Sequence, residues 1–491
     1  MSGNILEALR DGHQADPGAP FLTVPGGRRL SYVDVDDMAA RFATVLAEHG
    51  VAHGDRIVVQ VEKSPEAIAL YMAALQLGAV YVPLNPGHTA EEVDYFVEDA
   101  DPVLFVGAEP RRGFASLTLT TNGNGSLGAA AAGVVPRREI APCRPTDVAS
   151  LVYTSGTTGR SKGAMLTHGC LLANATGLYE AWGWRTDDVL LHALPIFHVH
   201  GLFVALHLAM LGGSEVILLP RFDIVGVRAA LTRSTVMMGV PTYYTRLLDS
   251  HDFGAEGCRT VRLFVSGSAP LSEVTHAQFA GRTGHRILER YGMSEAGMIC
   301  SNPLDGERIG GTVGYPVAGY EVRVRSGDVG ELEIRGPSLF AGYWRRPDMT
   351  EDAFTTDGWF RTGDLASIAE DGRVSLHGRD SDLIISGGYN VYPKEIEHVL
   401  DDVPGVTESA VVGMPDPDLG ERVFAFVVGE ASDDDLRAAV SRRLARYKHP
   451  AGYARVAELP RNAMGKVQKA ELRNKLEDGP PTTLPARSID D

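Results

Sequence analysis

Cysteine is scarce. The four residues Cys143, Cys170, Cys258 and Cys300 in a chain of 491 are too widely spaced for a metal knuckle or a disulfide framework, so neither a zinc ribbon nor a bridged secreted scaffold is expected. They read as buried or incidental thiols. Long apolar runs are also missing: no stretch approaches the roughly 18 residues of a spanning helix. Residues 1–16 contain neither a basic start nor an apolar signal core, so a cytoplasmic protein without membrane contact is expected. Positive charge is in deficit, with 46 Lys and Arg against 63 Asp and Glu and a net charge of -17. That balance argues against broad binding to nucleic acid or to an anionic membrane, but leaves room for local basic sites that hold phosphate.

What is present, 44% hydrophobic and 22% charged residues, belongs to a soluble globular enzyme of more than one domain. Strand, glycine-rich turn and helix patterns repeat up to about Arg379. They predict an α/β fold whose large N-terminal domain, residues 1–380, consists of parallel sheets wrapped by helices. From Ser381 the order changes to short strands around Leu383–Ser386, a helix opened by Pro393, strands near Ser409–Gly413 and Arg422–Val428, and a further helix. This predicts a small α+β C-terminal domain over 381–478. Residues 479–491, rich in proline and without periodicity, are expected to fray as a disordered tail. Gly123, Gly125 and Gly128 have dinucleotide-fingerprint spacing, but Pro136 follows after barely two turns. Residues 122–133 are therefore read as a surface loop.

The strongest chemical signal follows the apolar run Val148–Tyr153: Thr154, Ser155, Gly156, Thr157, Thr158, Gly159, Arg160, Ser161, Lys162, Gly163. Glycines let backbone amides approach phosphate oxygens, hydroxyls add donors, and Lys162 offsets charge on the outer phosphates. The spacing is not that of a Walker loop. This run resembles the signature of the adenylate-forming superfamily, which includes acyl-CoA synthetases, luciferases and peptide-synthetase adenylation domains. Further segments agree with that resemblance. A strand over Val261–Val265 ends in Ser266, Gly267, Ser268, Ala269, and another over Arg286–Glu289 ends in Arg290, Tyr291, Gly292, Met293, Ser294, Glu295. Turns at the carboxyl ends of parallel strands can face one crevice.

The resemblance implies ATP, magnesium and coenzyme A as reactants. It implies adenine held between Gly267–Ala269 and Tyr291, with Glu289, Gly292 and Met293 completing the nucleotide site. Ser294 would approach phosphate as part of the catalytic set, and Glu295 with Thr158 would hold magnesium. Asp364 and Arg379 resemble the residues that grip ribose hydroxyls. Ser381 stands at the usual hinge position, where many relatives carry Asp or Lys. Ser386, Gly387, Gly388 and Tyr389 resemble the segment lining the pantetheine tunnel. Lys466, within Leu459–Val467, resembles the catalytic lysine that bridges the attacking carboxylate and the α-phosphate. Its exposed loop also makes it a candidate for a lysine acetyltransferase, whose mark would switch the enzyme off.

The segments 192–203, 239–248, 288–295 and 460–469 resemble malonyl-CoA synthetases over nearly the whole chain. Arg290 carries the chemistry of that likeness, because a buried cation beside the acyl pocket would pair with a second carboxylate. His198 and His200, with Ser266, are expected to complete the acyl site. The resemblance implies two steps, attack of malonate on ATP to give an acyl-adenylate and then thioester formation, with methylmalonate as a further substrate. The alternative is a ligase, or a carrier-protein loading enzyme, for another short or aryl acid.

Overall fold

The computed structural model describes residues 3–154, 161–325, 327–387, 389–417, 419–462 and 465–477. The expected frayed tail over 479–491 lies outside them. Two large sheets dominate. One has six strands in the order Ser116–Thr118, Leu104–Gly107, Arg56–Gln60, Val80–Pro83, Val148–Thr154, Lys162–Thr167, parallel except for the last pair. The other has nine strands, and its parallel centre runs Leu288–Met293, Leu263–Ser266, Val236–Gly239, Val189–His192, Glu215–Leu218, Pro20–Thr23.

The core follows from the sequence pattern. In helix Pro65–Gln76 every residue is buried, as an all-round apolar helix packed within a large domain must be. Its entry is fixed by Pro65 at the first turn and by Ser64, whose side chain accepts from the Ala67 N–H. Helix Tyr32–Glu48 opens with a capping box between Ser31 and Asp34 and buries one stripe from Tyr32 to Leu46. Among the described residues no helix is long and apolar enough to cross a membrane.

Parallel order does not persist to Arg379. Glu321–Val324, Gly330–Arg335, Phe360–Ile368 and Val374–Arg379 form a separate antiparallel sheet, its outer pairs joined by short connections as antiparallel neighbours can be and its middle pair by residues 336–359, which include the helix Pro347–Asp352. Residues 122–133 also differ from the surface-loop reading: Ser126–Ala131 is a six-residue helix anchored by buried Leu127 and Ala131. The strand expected to stop at Glu289 runs on through Met293, held by antiparallel pairing with Gly297–Ser301.

Beyond Arg379 a short turn, Asp380–Asp382, leads to the last sheet. Tyr389–Val391, Ile384–Ser386, Gly420–Gly429 and Val406–Asp416 lie side by side, and Gly452–Arg455 joins the edge of Gly420–Gly429 in parallel. Helices Pro393–Asp401 and Asp433–Arg443 supply Ile396, Leu400, Leu436 and Val440 to its own apolar core.

Candidate active site

The carboxyl ends of three parallel strands, Val148–Thr154, Leu263–Ser266 and Leu288–Met293, supply the predicted site residues. Thr154 pairs with Lys162 across a hairpin. Ser155, Gly156, Thr157 and Thr158 lie between them, outside the described residues. The Lys162 ammonium sits 4.7 Å from the centre of the Tyr343 ring, and the Tyr343 hydroxyl donates to Glu295 Oε1 at 3.0 Å. One tyrosine therefore ties the stem of the phosphate loop to the predicted metal ligand. Sequence reasoning missed Tyr343, since no local pattern marks it.

Glu295 lies with Ser294 in the turn between Leu288–Met293 and Gly297–Ser301. Burial raises its carboxyl above the usual carboxylate range, against the pull of the Tyr343 bond and of Arg379 and Lys162. Among the described residues no lysine or arginine nitrogen pairs with it directly. A buried carboxylate in that position fits a hard divalent cation.

Asp364 and Arg379 face one another in the antiparallel sheet, with Arg379 Nε 2.8 Å from Asp364 Oδ1. The Tyr291 hydroxyl donates to the other oxygen of Asp364, and Arg379 Nη1 donates to the Thr362 carbonyl at 3.1 Å. Lys466 reaches the same place from the small sheet's side. Its loop is pinned where its backbone N–H donates to Asn462 Oδ1 at 3.0 Å. Gly465, at φ +75, lies so close to the large sheets that a Cβ there would sit 3.1 Å from Thr242 Oγ1. The Lys466 ammonium is held below its usual pKa by burial and by Arg379, while Asp364 and Asp382 pull the other way. Lys466, Arg379 and Asp364 thus share one electrostatic field.

On the strand Leu288–Met293, alternation sends Arg290 and Glu289 to opposite faces. Arg290 is 3% exposed, and its Nε and Nη2 have no hydrogen-bond partner among the described residues. Burial pushes its pKa down to about 9, still charged at neutral pH. Its guanidinium lies flat against Gly267, where any Cβ would collide with it. Around it burial, followed by the charge of Arg290, holds His198 down to about 4 and His200 well below its ordinary value, so both rings are neutral. Ser268, at φ +71, places its hydroxyl 3.3 Å from His200 Nδ1. The buried Ser266 Oγ and His200 Nε2 are also without partners among the described residues. Such a concentration of unsatisfied buried polar atoms calls for a ligand. His200 opens a π-helix, His200–Leu206, an irregularity frequent at functional sites.

The carboxylate of Glu289, placed with the nucleotide by the sequence, makes one hydrogen bond among the described residues, accepting the Leu271 N–H at 3.0 Å. It therefore braces the loop that carries Gly267, Ser268 and Ala269. Gly292 and Met293 continue the strand towards Glu295.

The segment Ser386, Gly387, Tyr389 is not brought to this cluster. Ser386 pairs with Tyr389, whose exposed ring stacks on Tyr447 at 4.5 Å. Gly388 lies outside the described residues. Ser381 is exposed in the turn immediately after Arg379.

The AMP-binding enzyme profile matches residues 9–344, and the AMP-binding enzyme C-terminal domain profile matches residues 395–466. The chain belongs to the AMP-binding enzyme family. Within the family it is similar to a malonate–CoA ligase of Arabidopsis thaliana, 35% identical over 87% of this chain and 79% of that protein. It is also similar to ATP-bound MatB from Rhodopseudomonas palustris, 43% identical over 97% of this chain and 99% of that one, with a TM-score of 0.94. Against apo MatB from the same organism the TM-score is 0.83 at the same identity and coverage. At the same identity and coverage, this chain is thus more similar to the ATP-bound structure than to the apo one.

Proposed function

We infer that this chain is an ATP-dependent acid–thiol ligase that converts malonate, and with it methylmalonate, to the CoA thioester through an acyl-adenylate, releasing AMP and pyrophosphate. Arg290 carries the substrate assignment. A buried guanidinium whose Nε and Nη2 are unpaired among the described residues is costly to desolvate, and a second carboxylate offers a charge-assisted, two-pronged partner. A monocarboxylate leaves that cost unrelieved. The neutral rings of His198 and His200 and the Ser266 hydroxyl add donors without opposing the charge of Arg290.

At the other end of the acid, the reacting carboxylate attacks the α-phosphate in line as pyrophosphate departs. The Lys466 ammonium stabilises negative charge that builds on the attacking and phosphoryl oxygens. Asp364, oriented by Tyr291 and Arg379, presents acceptor oxygens to the two ribose hydroxyls. Glu295, with Thr158, would hold magnesium, which neutralises phosphate charge when bound. The small domain then turns about Ser381 and brings Ser386, Gly387, Gly388 and Tyr389 to the crevice, where glycine permits close passage of the pantetheine chain. Acetylation of Lys466 by a lysine acetyltransferase would remove the charge used in the first step.

The deciding assay is CoA-dependent AMP release across malonate, methylmalonate, propionate and benzoate, repeated with a carrier protein as acceptor. Malonate with CoA is expected to dominate; equal rates on propionate would end the diacid assignment.

A further inference from the structure

Three side chains that this chemistry does not use meet at the amino end of the strand Val148–Thr154. His53, Cys143 and Asp147 each offer one ligand atom, and the three atoms lie within 4.8 Å of one another. His53 Nδ1 is 3.9 Å from Cys143 Sγ, within hydrogen-bond reach for sulfur, and Nε2 is 3.5 Å from Asp147 Oδ2; the thiol also donates to the Ala141 carbonyl at 3.6 Å. The surroundings accommodate the cluster. A Cβ on Gly78 would lie 2.5 Å from His53 Nδ1 and 3.1 Å from Cys143 Sγ, so the ring and thiol occupy space that a glycine leaves. Asn4 Nδ2 donates to Cys143 Sγ at 3.4 Å, as amide donors do to metal-bound thiolates. Asp147 is fixed by the backbone N–H and Nε of Arg144 at 2.8 and 2.9 Å. His168 feels the charges of Asp147 and His53, and its buried Nε2 has no partner among the described residues. A cavity of about 300 Å³ opens beside His53, Asp147 and Trp344.

We propose that His53, Cys143 and Asp147 form a binding site for a borderline-soft divalent ion of the zinc class, with water in the fourth position. Sulfur, nitrogen and oxygen donors together select zinc over magnesium, which takes oxygen ligands. The site is separate from the nucleotide site. The phosphate loop follows the other end of a seven-residue strand, about 20 Å away. The ion would join three chain segments distant in sequence: the amino terminus through Asn4, the turn at His53, and the loop 143–147.

The test titrates chelator-treated full-length protein with Co²⁺ and then Zn²⁺. One cobalt per chain is expected, with a near-ultraviolet thiolate-to-cobalt absorption that zinc abolishes and magnesium does not. Cys143→Ser should lose the absorption, and His53→Gln, Asp147→Asn and Asn4→Ala should each weaken zinc binding at least about tenfold. Ligase turnover of the His53→Gln variant should match that of the parent. His53 stands half-exposed on a turn, so this variant keeps the fold if packing weakens the others. Absence of the thiolate absorption, or zinc affinity unchanged in His53→Gln and Cys143→Ser, overturns the proposal and marks any bound ion as adventitious.

Discussion

Arg290 and Lys466 are both cations held below their ordinary pKa by burial, yet the proposed reaction sets them at opposite ends of the substrate. Removing Arg290 deletes one partner of a buried charge pair, a loss of about 2–5 kcal/mol. Arg290→Ala should therefore lower kcat/KM for malonate by about 30-fold or more while leaving propionate nearly unaffected. A substrate panel with both acids checks this, and an unchanged preference removes the diacid reading. Lys466→Ala should slow adenylate formation by about 100-fold or more and spare thioester formation from supplied malonyl-adenylate. Equal loss of both half-reactions would contradict the assignment. The sequence made these two residues legible because each stands in a distinctive run. It could not reveal the bond from Tyr291 to Asp364 or from Tyr343 to Glu295, which join residues far apart in the chain.

A single strand, Leu288–Met293, carries Arg290 of the proposed acyl pocket and, through Glu289, braces the loop that leads from Gly267 to Leu271. Burial raises the Glu289 carboxyl from 4.5 to about 7. Between those values the folded chain keeps a proton that the unfolded chain has lost, so stability declines as pH rises through that window and then levels off. Glu289→Gln lacks this decline. Its melting curve should gain on the parent between about pH 5 and about pH 8, by up to about 3 kcal/mol; a pH-independent difference would show that the group does not titrate there. Gly267→Ala should push the Arg290 guanidinium aside and raise KM for malonate, with propionate as the control. The alternation of strand and helix made the two parallel sheets readable from sequence. The antiparallel sheet over 321–379, the continuation of Leu288–Met293 past Glu289 and the π-helix at His200 were not. Each depends on pairing partners or carbonyl geometry that residue pattern does not encode.

The whole molecule has two chemical tasks and one crevice, and its conformation is more similar to that of ATP-bound MatB than to that of apo MatB. The change of pattern beyond Arg379 was visible in the sequence; the docking of Gly465 against Thr242 was not, because it exists between folded units. Ser381→Pro should restrict rotation at the turn. Malonate-dependent ATP–pyrophosphate exchange is expected to persist while malonyl-CoA formation falls, and parallel loss of both would show a folding defect instead. Arg379, partner of Asp364, ends the strand Val374–Arg379, and Ser381, the proposed pivot, lies two residues farther along the same backbone. On the proposed roles, a nucleotide held by Asp364 and Arg379 would tether the root of the moving arm and act as a clutch: engaged, it would fix where the swing begins, and its departure would reset the arm for another cycle.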